Sequence, residues 1–196
     1  MQGATALQTL VPLVATPVAE VFGRWHEFYA LLGAASGTLV GLLFVAATVG
    51  AGVFTPTRSA PVRVFLSSSV IHFSTILVVC LVVLVPVLNW EALGVAIVVC
   101  GLFGICYYVM AWRDMVRDGL SKRIDLEDRI WYTMLPVAGY TFESASGVAI
   151  ALRIPVGCEA LALSMGVLLI VGIHNAWDIT VWSMTRRPDT PTPPPE

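Results

Sequence analysis

Five apolar runs take up most of this chain, from about Trp25 to Val53, Arg63 to Leu88, Ala92 to Trp112, Ile130 to Leu152 and Val156 to Trp182. Each is long enough to cross a bilayer as a helix, because about 20 residues rising 1.5 Å apiece span the roughly 30 Å of hydrocarbon. In lipid the backbone N–H and C=O groups must pair within the segment, so runs of this length fold as helices. The expected class is all-α, a polytopic transmembrane helix bundle of five spans within residues 1–185. Composition agrees: 57% of residues are hydrophobic and only 12% charged, outside the range of soluble domains. No basic face for nucleic acid is on offer.

Both ends of the chain read differently from the spans. Leu7, Leu10, Val11, Val14, Val18, Val21 and Phe22 recur at helical spacing, yet Gln8, Glu20, Pro12 and Pro17 make a poor spanning helix, so an amphipathic helix lying in the interface is expected. With no Lys or Arg ahead of its apolar part, this segment does not read as a cleaved signal peptide. From Arg186 to Glu196 the chain is proline-rich and polar, which predicts a disordered tail. The four cysteines, Cys80, Cys100, Cys106 and Cys158, lie inside apolar runs without a C-x-x-C pair and read as buried free thiols.

Loop charge sets an expected orientation. With five spans, Arg58, Arg63, Arg113, Arg117, Lys122, Arg123, Arg129, Arg186 and Arg187 fall on one side, against Arg24 and Arg153 on the other. The positive-inside rule places that basic side in the cytoplasm and the amino terminus outside. Trp25, Trp90, Trp112, Trp131 and Trp182 sit at the span ends, as an aromatic belt requires. Abundant Ala, Gly, Val and Arg beside a single lysine point to a GC-rich bacterial genome, hence to a bacterial plasma membrane. The polar stretch 113–129 is expected to be a solvated helical loop, or a docking surface for a cytoplasmic protein partner.

Gly33, Gly37 and Gly41 form a G-x-x-x-G-x-x-x-G ladder in the first run, which lets another backbone approach closely, either within the subunit or in a homo-oligomer. Gly139 and Gly147 bracket Glu143 by one turn on each side in the fourth run, on a face shared with Pro136, Tyr140 and Ser146. Glu143 is about 21 Å along the helix from Arg129, so an ionised carboxylate there carries a heavy desolvation cost. Three roles fit: a protonated group acting as interhelical glue, a carboxylate beside water and an ion, or a carboxyl that loads and releases a proton.

Other polar groups reach similar depth. Ser68, His72 and Thr75 share one face of the second run, His72 about 14 Å in from Arg63. His174 and Asp178 are four apart in the fifth run, where they could bond along the helix, ligate one metal, or simply mark a hydrated helix end. Two histidines on facing helices could also clamp a haem, although no cofactor is expected. The serines of the second run lack the loop that activates a nucleophile, so enzyme chemistry is not expected either. The leading functional expectation is passage of an ion or proton along a path lined by Ser68, His72, Thr75, Glu143, His174 and Asp178. Its competitor is a membrane scaffold or regulatory subunit in which the same groups only hold helices together.

Overall fold

A computed structural model describes residues 18–51, 59–85, 89–117 and 129–185, which form five helices. These are α1 (Val18–Ala51), α2 (Ser59–Val83), α3 (Trp90–Arg117), α4 (Leu135–Ala151) and α5 (Val156–Thr185), with a π-helical turn at Ile130–Met134 leading into α4. Among the described residues there is no strand. Most of the expected interfacial segment, the polar stretch 118–128 and the tail from Arg186 lie outside the described residues. Where that segment enters them, Val18 to Phe22 continue into α1 without a break.

Local sequence explains the helix ends. Asn89 precedes α3, and its side-chain oxygen accepts from the Ala92 N–H at 2.7 Å, satisfying one of the donors a helix start leaves open. Before α4, Pro136 has no N–H to give and its ring would press on the carbonyl of Tyr132. The wide turn relieves this: the Leu135 N–H bonds instead to the Ile130 carbonyl. Helix α4 ends in a tight reversal in which Ile154 N–H bonds the Ala149 carbonyl and Arg153 N–H the Ile150 carbonyl, both at 2.9 Å. This pattern requires a left-handed residue, and Arg153 supplies it at φ 59°. Its guanidinium then pairs with Glu91 at 3.1 Å, tying the α4–α5 turn to the start of α3.

The helices run up and down. Helices α2, α3, α4 and α5 form a ring in which each packs on the next, and α1 lies outside against α2 and α5. Buried positions recur at alternating steps of three and four, as left-handed helix packing demands. On α3 Gly94, Ile97, Gly101, Gly104 and Tyr108 follow this spacing, with Leu93 buried beside them; on α4 Pro136, Tyr140, Glu143, Gly147 and Ile150 do, with Gly139 and Ser146 beside them. Glycine makes this seam possible: a Cβ added at Gly94 would stand 2.5 Å from the Gly147 carbonyl oxygen, and one at Gly104 would run into the Tyr140 ring. Backbones this close gain the van der Waals contact that holds helices together in lipid, where apolar burial supplies no drive.

The polarity of the molecule is inverted relative to a soluble protein. Phe44, Phe103, Leu163 and Ile170 are each 60% exposed or more, while Ser68, Ser69, His72, Thr75, Glu143 and Asn175 are buried. Three helices are long and apolar enough to cross a membrane, over Gly23–Thr48, Trp90–Asp114 and Val156–Asp178, and α2 contributes a shorter apolar stretch, Ser68–Val83. An apolar exterior of this extent has one suitable solvent, the acyl chains of a bilayer.

Candidate functional site

His72 occupies the centre of the ring. Helix α2 points it inward against Tyr108 of α3 and Tyr140 of α4; their ring centroids lie 5.5 and 5.6 Å from that of the imidazole and 5.9 Å from each other, so the three rings form a triangle. The hydroxyls meet the two ring nitrogens. Tyr108 is 2.6 Å from Nε2, and Tyr140 is 3.0 Å from Nδ1. The network continues outward, since Ser68 Oγ lies 2.6 Å from the Tyr108 hydroxyl, and Thr75 stands close enough to Tyr140 to interact with its hydroxyl.

A neutral imidazole has one N–H and one bare nitrogen, so one tyrosine donates to His72 and the other accepts from it. Ser68, Tyr108, His72 and Tyr140 therefore form a one-directional chain with two equivalent senses, and Thr75 stands at its Tyr140 end. In one sense Ser68 donates to Tyr108, Tyr108 to Nε2 and Nδ1–H to Tyr140, which leaves the Tyr140 proton for Thr75. In the other every donor becomes an acceptor and the imidazole carries its proton on Nε2. Both ring nitrogens are thus engaged, which leaves neither for the haem iron that the sequence allows.

Glu143 follows Tyr140 by three residues on the same buried face of α4. It is 0% exposed, and neither carboxyl oxygen has a hydrogen-bond partner. Tyr140 and Cys100 are close enough to interact with it electrostatically. The other described Asp, Glu, Lys and Arg side chains gather at the two ends of the bundle. Glu20, Arg24, Glu27, Glu91, Arg153 and Glu159 mark one end, and Arg113, Asp114, Arg117, Arg129 and Asp178 the other. Glu143 is the exception, isolated between them. Ser146, which the sequence places nearby, and Ser164 of α5 are satisfied by the Phe142 and Gly139 carbonyls at 2.7 and 2.9 Å.

The structure brings Ser68, His72 and Thr75 together and sets Glu143 one turn further along α4. It does not bring in His174 or Asp178. The wide turn before α4 aims Trp131 and Tyr132 at α5, where Trp131 stacks on His174 at 3.8 Å between centroids and Tyr132 donates to Asp178 at 2.8 Å. Among the described residues no group of three or more His, Cys, Asp or Glu side chains could hold a metal ion. Of the glycine ladder, Gly33 packs tightly on Cys80, Gly37 touches Leu77 at ordinary distance, and Gly41 faces nothing within 4 Å. Gly139 packs on Leu168, and Gly147 closes on α3.

Two functional candidates, Tyr108 and Asn175, have no site role in the sequence analysis. Tyr108 carried a legible signal, since it continues the Gly94, Ile97, Gly101, Gly104 spacing onto a buried position. Asn175 lies beside His174 but faces inward, 0% exposed, with both amide atoms lacking a partner.

Comparison with protein-family models, curated proteins and solved structures returns no match. Fold and site alone define the class: an all-helical membrane protein whose bundle encloses a tyrosine–histidine–tyrosine chain and an unpaired carboxyl.

Proposed function

We propose that this protein passes protons across a bilayer through the interior of its bundle, with Glu143 as the group that takes up and releases the proton. The observation that carries the reading is the isolation of Glu143, whose two oxygens are buried with no partner. A carboxylate left so would cost several kcal/mol, roughly, in desolvation, so the group rests as the neutral acid and ionises only when its proton has somewhere to go. Structural glue would instead show the carboxyl bonded to a neighbouring helix. The adjacent chain suits proton transfer: a proton taken at Ser68 and handed along releases one at Thr75 and moves the His72 proton from Nδ1 to Nε2. No net charge remains on any member. A metal cation would need several oxygens aimed at one point, whereas these hydroxyls are aimed at one another.

This reading takes all five helices as spans, with the Arg117 end of the bundle in the cytoplasm of a bacterial plasma membrane. The scaffold reading is favoured by one feature, the closed contact of both His72 nitrogens with tyrosine, which also serves as interhelical glue. Flux decides between them. Purified protein in proteoliposomes with an internal pH dye, driven by a potassium diffusion potential, is expected to acidify or alkalinise the lumen. Glu143→Gln should assemble normally and abolish that flux. Wild type that moves no protons under any gradient, or Glu143→Gln that moves them equally well, overturns the proposal.

A further inference from the structure

Buried polar groups without partners are not spread evenly along the bundle. Phe73 and Gly172 lie side by side on antiparallel α2 and α5, because a Cβ at Gly172 would stand 2.6 Å from the Phe73 ring. Ser69 is one turn back along α2 and Asn175 about one turn on along α5, so the two face the same level between these helices. Both are 0% exposed, and Ser69 Oγ, Asn175 Oδ1 and Asn175 Nδ2 have no partner. A serine hydroxyl can turn to a carbonyl of its own helix, as can Ser36, the similarly placed group on α1. An asparagine amide can do so only through its N–H groups; its Oδ1 has no such recourse, since the helix has already used its own N–H donors. Left alone, that oxygen carries the full desolvation penalty of an unpaired buried acceptor.

The opposite half of the interior is different. Beyond Glu143, towards Glu91 and Arg153, the core is Val79, Leu93, Ile97, Ile150 and Leu161, each under 5% exposed. There the α3 and α4 backbones touch at Gly94 and Gly147. A water molecule needs two to four polar partners to stay inside a protein; in that half the buried Ser146 and Tyr29 hydroxyls already donate to the Phe142 and Cys158 carbonyls, whereas Asn175 with Ser69 offers enough. Asp178, exposed and charged, is about 4.5 Å further along α5 from Asn175, which puts this polar pair close to one end of the bundle.

We infer that Asn175 and Ser69 hold an internal hydration site between α2 and α5, and that water reaches the level of Glu143 only from the Asp178 end. The inference rests on the proton-binding reading for its destination, but the hydration site stands on Asn175 and Ser69 alone. It makes the bundle a half-channel, wet from one face and sealed on the other, so proton release to the far side requires α3 and α4 to part.

Thiol chemistry tests access without depending on flux. Ser69→Cys and Asn175→Cys, each in the full chain, are exposed to a small charged methanethiosulfonate in right-side-out and in inverted vesicles, and adducts are located by mass spectrometry. Modification at position 69 or 175 is expected only from the face bearing Asp178, with Val79→Cys and Leu161→Cys unmodified from either face. Positions 69 and 175 both unreactive from both faces, or Val79→Cys reactive from the far face, overturns the one-sided site. Flux with unreactive thiols defeats the inlet and spares the proton reading; reactive thiols without flux do the reverse. Asn175→Leu should slow proton flux by about tenfold, the scale of one lost buried hydrogen-bonding group.

Discussion

Tyr108, His72 and Tyr140 satisfy one another so completely that removing one hydroxyl leaves a buried nitrogen bare. Interhelical hydrogen bonds in membranes contribute about 0.6 kcal/mol on average and up to about 1.7, and an orphaned partner adds to the loss. Tyr108→Phe should therefore lower stability by about 1–2 kcal/mol, because it strands both His72 Nε2 and Ser68. Denaturation in mixed micelles would measure this; a loss below a few tenths would show that the chain contributes little. Glu143 makes a chemical prediction of its own. A neutral carboxyl facing an apolar interior reacts with a hydrophobic carbodiimide, so dicyclohexylcarbodiimide at neutral pH should leave an adduct on Glu143, visible by mass spectrometry and absent in Glu143→Gln. A wild-type protein without that adduct would argue that the carboxyl is ionised and paired. Arg153 tests the backbone. A left-handed residue other than glycine carries a penalty of about 1–2 kcal/mol, and an exposed ion pair such as Arg153–Glu91 returns 0–1 kcal/mol, roughly. Arg153→Gly should thus be more stable than Arg153→Ala by about 1 kcal/mol, since only the glycine relieves the strain. Equal melting temperatures in detergent would contradict this.

Among the helices, the α3–α4 seam is the closest approach and the most sensitive to size. Leucine at Gly104 has to displace the Tyr140 ring, at a cost of about 3 kcal/mol or more, and should disturb the His72 chain with it. Leucine at Gly41 meets open space within the subunit, so its stability should be unchanged. A fall in oligomer size for Gly41→Leu would instead reveal that the outer rungs of the ladder contact a second copy. The two glycine series look alike in sequence, yet they differ in depth. Spacing by four alone, as in Gly33, Gly37 and Gly41, drifts around the helix, and the last rung leaves the interface. Alternating three and four, as on α3, keeps every member on the seam.

At the scale of the whole molecule, the charged side chains at the two bundle ends define the faces that meet water, and the exposed aliphatic and aromatic surface between them defines the slab that meets lipid. The ends differ in chemistry. The Asp178 end carries Trp112 with the Arg129 guanidinium 5.4 Å over its ring, an interfacial anchor, together with Arg113 and Arg117. A reporter enzyme fused after Arg117 should be active only in its cytoplasmic form, in keeping with the excess of Lys and Arg on that side. Activity of a periplasm-specific reporter at that point would invert the topology and, with it, the face from which Glu143 is hydrated.

Lipid makes some of this architecture legible from residues alone. Because an unpaired backbone cannot sit in hydrocarbon, length and apolarity dictate helices, and the sequence sufficed for an all-α membrane protein with a single carboxyl far from either end. It also placed Gly139, Tyr140, Glu143 and Gly147 on one face of α4, because their spacing of three and four along the helix puts the glycines and the carboxyl together. Helix rotation elsewhere was harder to read. A helix apolar on all sides has no polar stripe to mark its outer face, so nothing in α3 announced that Tyr108 points inward except the spacing of its glycines. Neighbourhood was settled only by tertiary packing: α1 stands outside the ring, α2 reaches across it to α4, and Trp131 and Tyr132 draw His174 and Asp178 away from the centre. The physical reason is that partner choice in lipid follows from shape and from hydrogen bonds between helices, and both depend on how backbones meet. A one-dimensional pattern records which groups need a partner, and the packed bundle decides which of them find one.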